Sequence, residues 1–387
     1  MTGPTYPAAH AAAPRIEALF AEHAADARRR EQPDIATVPD ADAIEAIVTT
    51  AFWASLRREE RYVARISLAF LAPHEIRHPL LFERPLALDP AILTKVAPAV
   101  ERAGIHLGVW RGARRELIVW GTARATPVTC FVLEVAAPGV LVVKHHRGEE
   151  SSKYVNVAVF EGDRVKIVDE RASSLPDCPP LLTSLLGFYG PDDFIDSPTA
   201  WIDSVNVLVQ LAVSMRAHGR GGLLLVVPAG SEAWKESIVR PISYAIAPPF
   251  AELAALCRET PEQRRRHVWQ ESLERTVHAV AGLTAVDGAA ILSSDYDVLA
   301  FGAKIARRKG SPQIEQVTTT EPVEGAVASI LDPAQLGGTR HLSAAQFVHD
   351  QRNAVALVAS QDGRFTVFAW SPRESMVHAH RVEVLLL

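Results

Sequence analysis

The sequence predicts a two-part protein of the mixed α/β class, and three observations lead to this prediction. The first half of the chain contains many short runs rich in β-branched residues, and the second half alternates helical and strand patterns. A segment with four prolines separates the halves. Because 387 residues suffice for two domains of ordinary size, we expect a strand-rich α+β domain followed by an α/β domain.

The composition narrows the classes of function. With 22% charged residues and a formal net charge of −5, the chain has no basic excess, so we expect no binding to nucleic acid. The three cysteines, Cys130, Cys178 and Cys257, form no CxxC pair, which argues against a disulfide framework or a cysteine zinc site and favours a reducing compartment. The sequence shows neither a signal-peptide pattern nor a run of about 18 apolar residues. These features favour a cytoplasmic protein without membrane contact.

The first half divides into an arm and a domain. Residues 1–40 are rich in alanine and proline, and we expect a flexible N-terminal arm with one short helix in "RIEALFAEHAADARRR". Residues 41–190 are expected to form the first domain, since "ELIVWGTA", "TCFVLEVA", "GVLVVKHH" and "YVNVAVFEG" are strand runs separated by turn residues. The proline-containing segment "SSLPDCPPLLTSLLGFYGPDD" is typical of an irregular connection.

The second domain is expected over residues 197–387. Ser197-Pro198 is a favourable helix start, Gly219 is a favourable stop, and "GGLLLVV" follows as a buried strand. Thr260 and Gln263 predict a capping box at the start of a second helix. That helix has one apolar face at helical spacing, made of Trp269, Leu273, Val277 and Val280.

The remainder of the second domain predicts two hairpins and a helix. The run "LTAVDGAAILSSDYDVLAFGAKI" indicates two strands joined by a polar turn. A helix is expected behind Thr339, followed by the strand "NAVALVAS" and a hairpin at Asp362-Gly363. Helices therefore alternate with strands through this half, as in α/β proteins.

The run "TAVDGAAIL" contains the first candidate site. Asp287 lies inside an apolar strand pattern, where an unpartnered carboxylate is costly. Gly288 and Ala289 have almost no side chain, so a ligand could approach the backbone closely. A carboxylate beside such a patch suits Mg²⁺ carried by a nucleotide. The alternative is a turn in which Asp287 hydrogen-bonds to its own backbone.

The run "LGGTRHLSAAQFV" contains the second candidate site. Gly337 and Gly338 permit a tight turn, and Thr339 is placed to cap the helix that follows. Arg340 and His341 then lie at the positive end of the helix dipole, where cations are unfavourable unless an anion joins them. Phosphate would supply that anion and bind the free N–H groups. The alternative is a surface loop with a solvated arginine.

The two motifs in this order, with the strand "FGAKI" between them, resemble the diadenylate cyclase domain, whose members join two ATP molecules into cyclic di-AMP. The resemblance begins near "QLAVSMRAHGRGGLLLVV", extends to about Trp370, and covers a little under half of the chain. It implies a mixed sheet flanked by helices. It also implies one ATP per subunit and two sites that face each other across a homodimer.

The resemblance also implies roles for individual residues. Asp287 would hold the catalytic Mg²⁺ or Mn²⁺ ion, and Arg340 and His341 would act with it in catalysis on the triphosphate. The implied nucleotide-binding set is Gly288, Ala289, Gly338, Thr339, Arg340 and His341.

The sequence departs from the family pattern at three places. Leu342 stands where the family usually has the second arginine of Arg-His-Arg. Val348 and His349 stand where it has Ser-Glu, and Asp350 is one position away, a shift that points a helical side chain elsewhere. The interval between the two motifs is also longer than usual. The second interpretation is therefore a catalytically degenerate nucleotide-binding sensor derived from the same fold.

The first half resembles a different module. The runs "GIHLGVW", "FVLEV" and "LPDCPPLLTSLLGF" are similar to the sensor-type domains found ahead of bacterial diadenylate cyclase domains. No ligand follows from these residues, so an unknown small molecule is expected as the partner of this domain. Together the two resemblances predict a sensor-regulated diadenylate cyclase.

Overall fold

The fold was analysed on a computed structural model, which describes residues 5–59, 62–63, 65–102, 104–124, 126–146, 154–169, 207–264 and 266–387. These residues divide into one unit that reaches Val168 and a second that spans Asp169–Leu386. The expected domain boundary between residues 190 and 197, and the expected helix start at Ser197-Pro198, lie outside the described residues. The prediction of a strand-rich first part and a second mixed sheet flanked by helices is confirmed.

The first unit contains an eight-stranded sheet and a two-stranded ribbon. Its helices are α1 (Pro7–Arg29), α2 (Ala41–Ser55) and α3 (Pro90–Val96). Its strands are β1 (Arg58–Glu59), β2 (Tyr62–Val63), β3 (Ser67–Phe70), β4 (Leu80–Ala87), β5 (His106–Arg111), β6 (Leu117–Ala123), β7 (Phe131–Ala137), β8 (Val140–His146), β9 (Tyr154–Glu161) and β10 (Arg164–Ile167). The large sheet has the order β10-β9-β8-β7-β3-β5-β6-β4, and only the β3–β5 pair is parallel.

The N-terminal segment is packed into this unit, so the expected flexible arm (residues 1–40) does not hold for residues 7–29. Helix α1 buries Ala9, Ile16 and Phe20 completely, and the Phe20 ring lies 5.3 Å from that of Phe131. The buried residues follow a helical period, and small alanines let the helix approach the sheet closely. Composition alone suggested a loose arm because it ignores this spacing.

The second unit contains a nine-stranded sheet. Its helices are α4 (Val207–Ala217), α5 (Glu252–Cys257), α6 (Pro261–Arg264), α7 (His267–Leu283), α8 (Pro333–Leu336) and α9 (Thr339–Asp350). Its strands are β11 (Gly222–Val227), β12 (Tyr244–Phe250), β13 (Ala289–Ser293), β14 (Val298–Ala303), β15 (Val317–Thr320), β16 (Ser329–Leu331), β17 (Val355–Ala359), β18 (Phe365–Ser371) and β19 (Met376–Arg381). The order is β12-β14-β13-β11-β17-β18-β19-β15-β16, with β11–β13 and β15–β19 parallel.

Helices cover both faces of this sheet. Leu224 of β11 packs in the cluster that contains Leu273 of α7, and the neighbouring Leu223 packs in the cluster that contains Phe347 of α9. Successive strand residues point to opposite faces, so β11 serves both layers. Every residue of β11 is buried, as its continuous apolar sequence requires.

Local sequence features account for several element ends. The Thr260 N–H donates to Gln263 Oε1 at 3.0 Å, and the Gln263 N–H donates to Thr260 Oγ1 at 3.4 Å, which confirms the capping box. That box begins the short α6, and α7 begins at His267 with its predicted apolar face buried. Gly363 has φ +83° in the turn between β17 and β18, in agreement with the predicted hairpin.

A buried polar network lies within the first unit. His106 is fully buried, its Nδ1 hydrogen-bonds to Ser67 Oγ at 2.7 Å, and its Nε2 hydrogen-bonds to the Tyr154 hydroxyl at 2.9 Å. Thr126 Oγ1 joins the same hydroxyl at 2.9 Å. Burial lowers the pKa of His106 to about 4 and raises the pKa of Tyr154 to about 12. Both groups are therefore neutral near pH 7.

We predict that this network makes the first unit acid-sensitive. The folded-state pKa of His106 lies below its ordinary value of 6.5, so the stabilisation is complete above pH 6.5 and is lost as the pH falls towards 4. The difference between these two pKa values corresponds to about 3 kcal/mol in the free energy of unfolding. Urea titrations at several pH values measure the free energy of unfolding, and hydrogen exchange in β3 and β5 reports the stability of the first unit.

His106→Gln is the matched variant, because it retains hydrogen-bonding groups and loses the titration. The loss of stability between pH 6.5 and 4 is expected to be smaller in the variant by about that amount. An identical pH dependence in both proteins would show that His106 is not the responsible group.

Candidate functional site

Both sequence motifs lie at the same end of the nine-stranded sheet. Gly222 pairs with Ala359 at the end of β17, and the parallel register Leu224↔Ala290 places Gly288 level with Gly222. The Arg340 side chain reaches this end, because a Cβ atom on Gly221 would lie 2.8 Å from Arg340 Nη1. We call the end formed by residues 220–222, 287–288, 338–341 and 359–363 the motif edge.

Asp287 is exposed at the motif edge. The expectation that it lies inside a strand is wrong, since β13 begins at Ala289 and the Asp287 side chain is 91% exposed. Its carboxylate Oδ2 lies 3.9 Å from Lys304 Nζ, the limit of an ion pair, and such exposed pairs contribute little. The carboxylate oxygens are therefore accessible to a ligand.

Gly288 and Ala289 pack against the protein itself. Gly288 has φ +107°, and a Cβ atom there would lie 2.5 Å from the Gly302 carbonyl carbon of β14. Ala289 is completely buried in β13. The absence of a side chain at Gly288 therefore permits close contact with a neighbouring strand. Gly288 and Ala289 do not form an exposed surface on which a nucleotide could lie. Their effect on a ligand comes through fixing the position of Asp287.

The start of α9 differs from the expectation in its cap. Gly338 is the N-cap residue and Thr339 is the first helical residue, so Thr339 makes no capping hydrogen bond. Gly338 has nothing within 4 Å of its would-be Cβ atom. Within the described part of the chain, the backbone N–H groups of Thr339 and Arg340 donate to no acceptor. These two groups are available to an anion at the positive end of α9.

His341 is turned into the protein, so the expectation that it points outward with Arg340 is wrong. It is 2% exposed, its Nε2 lies 3.4 Å from Thr366 Oγ1, and its ring meets Phe368 edge-on. His341 shares the buried helix face with Ala345 and Val348, at spacings of four and three residues. Burial lowers the pKa of His341 below its ordinary value, so the ring is neutral near pH 7.

Arg340 is the helix-start cation that remains at the surface. Its guanidinium group lies against Gly221, where φ is +71° and no side chain intervenes. His218 and Arg220 lie nearby, and the pKa of His218 is lowered by its burial and by the charges of Arg220 and Arg340. The motif edge is therefore electropositive around the start of α9, as binding of an anion requires.

Two further residues at the motif edge were not identified from the sequence. Tyr244 is 50% exposed and stacks on Phe301 with ring centroids 4.7 Å apart and an interplanar angle of 10°. Its ring covers Gly302, whose would-be Cβ lies 3.4 Å from the Asp287 carbonyl oxygen. Asp362 in the β17–β18 turn is close enough to influence the His341 ring. The stretch "SYAIAPPF" has no periodic pattern that would have singled out Tyr244.

Asp350 lies at the other end of α9 and has a structural role. Its side chain is fully buried and accepts hydrogen bonds from the Arg308 N–H at 2.8 Å and from Gln346 Nε2 at 2.9 Å. Asp350 is eleven positions after Thr339 in the helix, which is about 16 Å along the helix axis. Asp350 therefore does not replace the missing carboxylate of the family pattern beside Asp287.

Comparison with known proteins identifies part of the first unit. Residues 33–124 match the family model described as "Probable sensor domain DACNV". This match confirms the resemblance of the first half to sensor-type domains over those residues. No curated protein matches the chain. In the part of the chain that the structure describes, no helix is long and apolar enough to cross a membrane.

We predict unequal losses of stability for alanine at two glycines of the motif edge. Gly288→Ala is expected to lower the free energy of unfolding by about 2–4 kcal/mol, because the new Cβ collides with the β14 backbone at a positive φ. Gly338→Ala meets no neighbouring atom and is expected to cost about 1 kcal/mol or less. Thermal and urea unfolding of the nucleotide-free protein measure both. Equal stabilities for the two variants would contradict the packing described at Gly288.

Proposed function

We propose that the chain is a sensor-regulated diadenylate cyclase, in which the second unit binds ATP at the motif edge and the first unit responds to a small molecule. The observation that carries the proposal is the meeting of Asp287 and the start of α9 at one end of one sheet. Two motifs far apart in sequence thereby offer a carboxylate, a cation and free N–H groups to the same ligand.

The start of α9 suits the triphosphate. The N–H groups of Thr339 and Arg340 and the Arg340 guanidinium group present hydrogen-bond donors together with positive charge. Charge-assisted hydrogen bonds to phosphate contribute about 1.5–3 kcal/mol each. Bound phosphate would also relieve the repulsion between Arg340 and the positive helix end. His341 contributes indirectly, because its buried ring packs over Gly337 and fixes the turn.

Tyr244 suits the base. Its ring is half exposed, is supported from one side by Phe301, and lies next to the backbone of Asp287. Stacking of a base on an aromatic side chain contributes about 1–3 kcal/mol. An adenine on Tyr244 and a triphosphate at α9 would place the metal-binding phosphates beside Asp287.

The residues present fit a divalent cation that arrives with the nucleotide. No group of three His, Cys, Asp or Glu side chains that could hold a metal occurs among the described residues. Mg²⁺ in nucleotide sites commonly uses one or two carboxylates together with phosphate oxygens, and Asp287 is accessible for this purpose. When bound, the cation would neutralise charge that develops on the phosphoryl oxygens.

The proposed reaction joins two ATP molecules held by two copies of the chain. The 3′-hydroxyl oxygen of each ATP attacks the α-phosphorus of the other and releases its proton to water as the new phosphodiester bond forms. The bond between the α-phosphorus and the oxygen that bridges to the β-phosphate breaks, and pyrophosphate leaves with its electron pair. The residues of the motif edge hold the phosphates in line and stabilise their charge, which supplies most of the rate enhancement in phosphoryl transfer. A homodimer is therefore part of the proposal.

The alternative is a nucleotide-binding sensor without turnover. Leu342 packs against the hydrophobic core, and Val348 and Asp350 are buried, so the cation and the carboxylate of the family pattern are not supplied by these positions. This observation favours the alternative, since it reduces charge stabilisation while leaving Arg340 and the free N–H groups at the motif edge.

We predict that purified full chain incubated with ATP and Mn²⁺ or Mg²⁺ yields cyclic di-AMP, detected by mass spectrometry. Arg340→Gln is expected to weaken ATP binding at least about tenfold in titration calorimetry, which corresponds to about 1.4 kcal/mol. Asp287→Asn is expected to abolish metal-dependent product formation while the protein stays folded, because the amide keeps the shape and loses the charge.

Arg373→Gln is the control for Arg340→Gln. Arg373 is an exposed arginine in the β18–β19 turn, at the other end of the sheet, and its loss is expected to change neither ATP affinity nor product. ATP binding without product would select the sensor alternative. Absence of ATP binding, or equal affinity in Arg340→Gln and wild type, would refute both interpretations of the motif edge.

A further inference from the structure

A concave site lies at the end of the nine-stranded sheet away from the motif edge. It is a cavity of about 670 Å³, a size typical of small-molecule sites. Its walls are the end of β11 with the segment that follows it, the loop of residues 308–312, and the turn of residues 349–354. From Gly222 to Val227, β11 spans about 17 Å, so the cavity and the motif edge are separate sites.

Cations from two chain segments meet at this cavity. Arg308 and Lys309 come from the loop that precedes β15, and Arg352 comes from the turn between α9 and β17. Arg308 pairs with Glu236 at 2.8 Å, whereas neither Lys309 nor Arg352 has a carboxylate partner among the described residues. The Arg352 guanidinium group lies 4.0 Å above the Trp370 ring, which holds it in place and leaves its N–H groups free for a ligand.

The carboxylate that lines the cavity is committed to the fold. Asp350 accepts hydrogen bonds from the Arg308 N–H, the Ser311 hydroxyl and Gln346 Nε2, and its side chain is fully buried. Gln346 also accepts from the Ile314 N–H at 2.9 Å. These bonds fasten the loop of residues 308–314 to α9. The cavity wall that carries Arg308 and Lys309 is therefore fixed before any ligand binds.

The same cavity offers an apolar surface. The buried Trp234 lines it together with Val227 and Pro228 from one side and Pro312 from the other. Ligand sites typically combine such apolar walls with a few placed polar groups. The cavity thus fits a molecule with an apolar or aromatic body and a compact anionic end.

We propose that this cavity binds a small phosphorylated organic molecule, with its phosphoryl group at Lys309 and Arg352 and its apolar body against Trp234 and Pro312. A dianionic phosphoryl group matches two cations and the fork of Arg352 better than a monoanionic carboxylate does. The site uses no residue of the motif edge. The proposal therefore stands independently of ATP binding there.

Phenyl phosphate is the probe, because it combines an aromatic body with a phosphoryl group. Titration calorimetry of the full chain is expected to show saturable binding that weakens as the salt concentration rises. The double variant Lys309→Gln, Arg352→Gln is expected to bind at least about tenfold more weakly, equivalent to about 1.4 kcal/mol. Arg340→Gln, at the motif edge, is expected to bind the probe at the cavity as the wild type does.

Three controls keep the test decisive. Lys309→Gln alone changes an exposed side chain and is expected to melt like the wild type while binding the probe more weakly. Inorganic phosphate is expected to bind more weakly than phenyl phosphate, because it lacks the apolar body. Benzoate binding as tight as that of phenyl phosphate would overturn the phosphoryl assignment.

Two further results would refute the proposal. One is the absence of saturable phenyl phosphate binding up to about 10 mM. The other is a double variant that binds normally but unfolds more readily, which would show that these cations only compensate the negative C-terminal end of α9. The cavity and the motif edge share no residue. The outcome of the phenyl phosphate titration therefore does not depend on whether ATP binds at the motif edge.

Discussion

The second unit depends on the burial of one face of α9 against the nine-stranded sheet. Phe347, Val348 and Ala345 are completely buried there, and each large apolar side chain contributes about 1.5–3 kcal/mol when removed from water. His341 lies on the same face and extends this contact to the beginning of the helix. The helix is therefore fixed along its whole length, and its two ends are presented at opposite ends of the sheet.

This single packing contact gives the two ends of α9 different chemistry. At the beginning, Arg340 and the free N–H groups lie at the same end of the sheet as the exposed Asp287 carboxylate, an arrangement suited to a phosphate-bearing ligand. At the end, Asp350 and Gln346 hold the loop that forms the cavity wall. Val348 is buried in the core and Asp350 is hydrogen-bonded to the loop, so neither side chain is available at the beginning of the helix. The long interval between the two motifs supplies that loop.

Much of this arrangement follows from the sequence, and the errors have identifiable physical causes. Strand β11 and the hairpin at Gly363 followed from continuous apolar runs and turn chemistry. The spacing of His341 to Ala345 and Val348 indicates a side chain on the buried helix face, whereas its charge and place at the helix start suggest an exposed one, and burial of the apolar face prevails. The apolar residues on both sides of Asp287 predict that it lies within the strand, whereas β13 begins two residues later, at Ala289. The position of Tyr244 beside Phe301 depends on the pairing of β12 with β14, and no local sequence pattern predicts that pairing.

Amide hydrogen exchange tests directly whether a nucleotide binds at the motif edge. Exchange is measured by mass spectrometry on the full chain with and without ATP and Mg²⁺, for peptides that cover residues 285–290, 336–342 and 349–354. We expect slower exchange in the first two peptides, because phosphate would engage the N–H groups of Thr339 and Arg340, and no change in the third. Protection confined to residues 349–354, or no protection in any of the three at saturating ATP, would contradict this expectation.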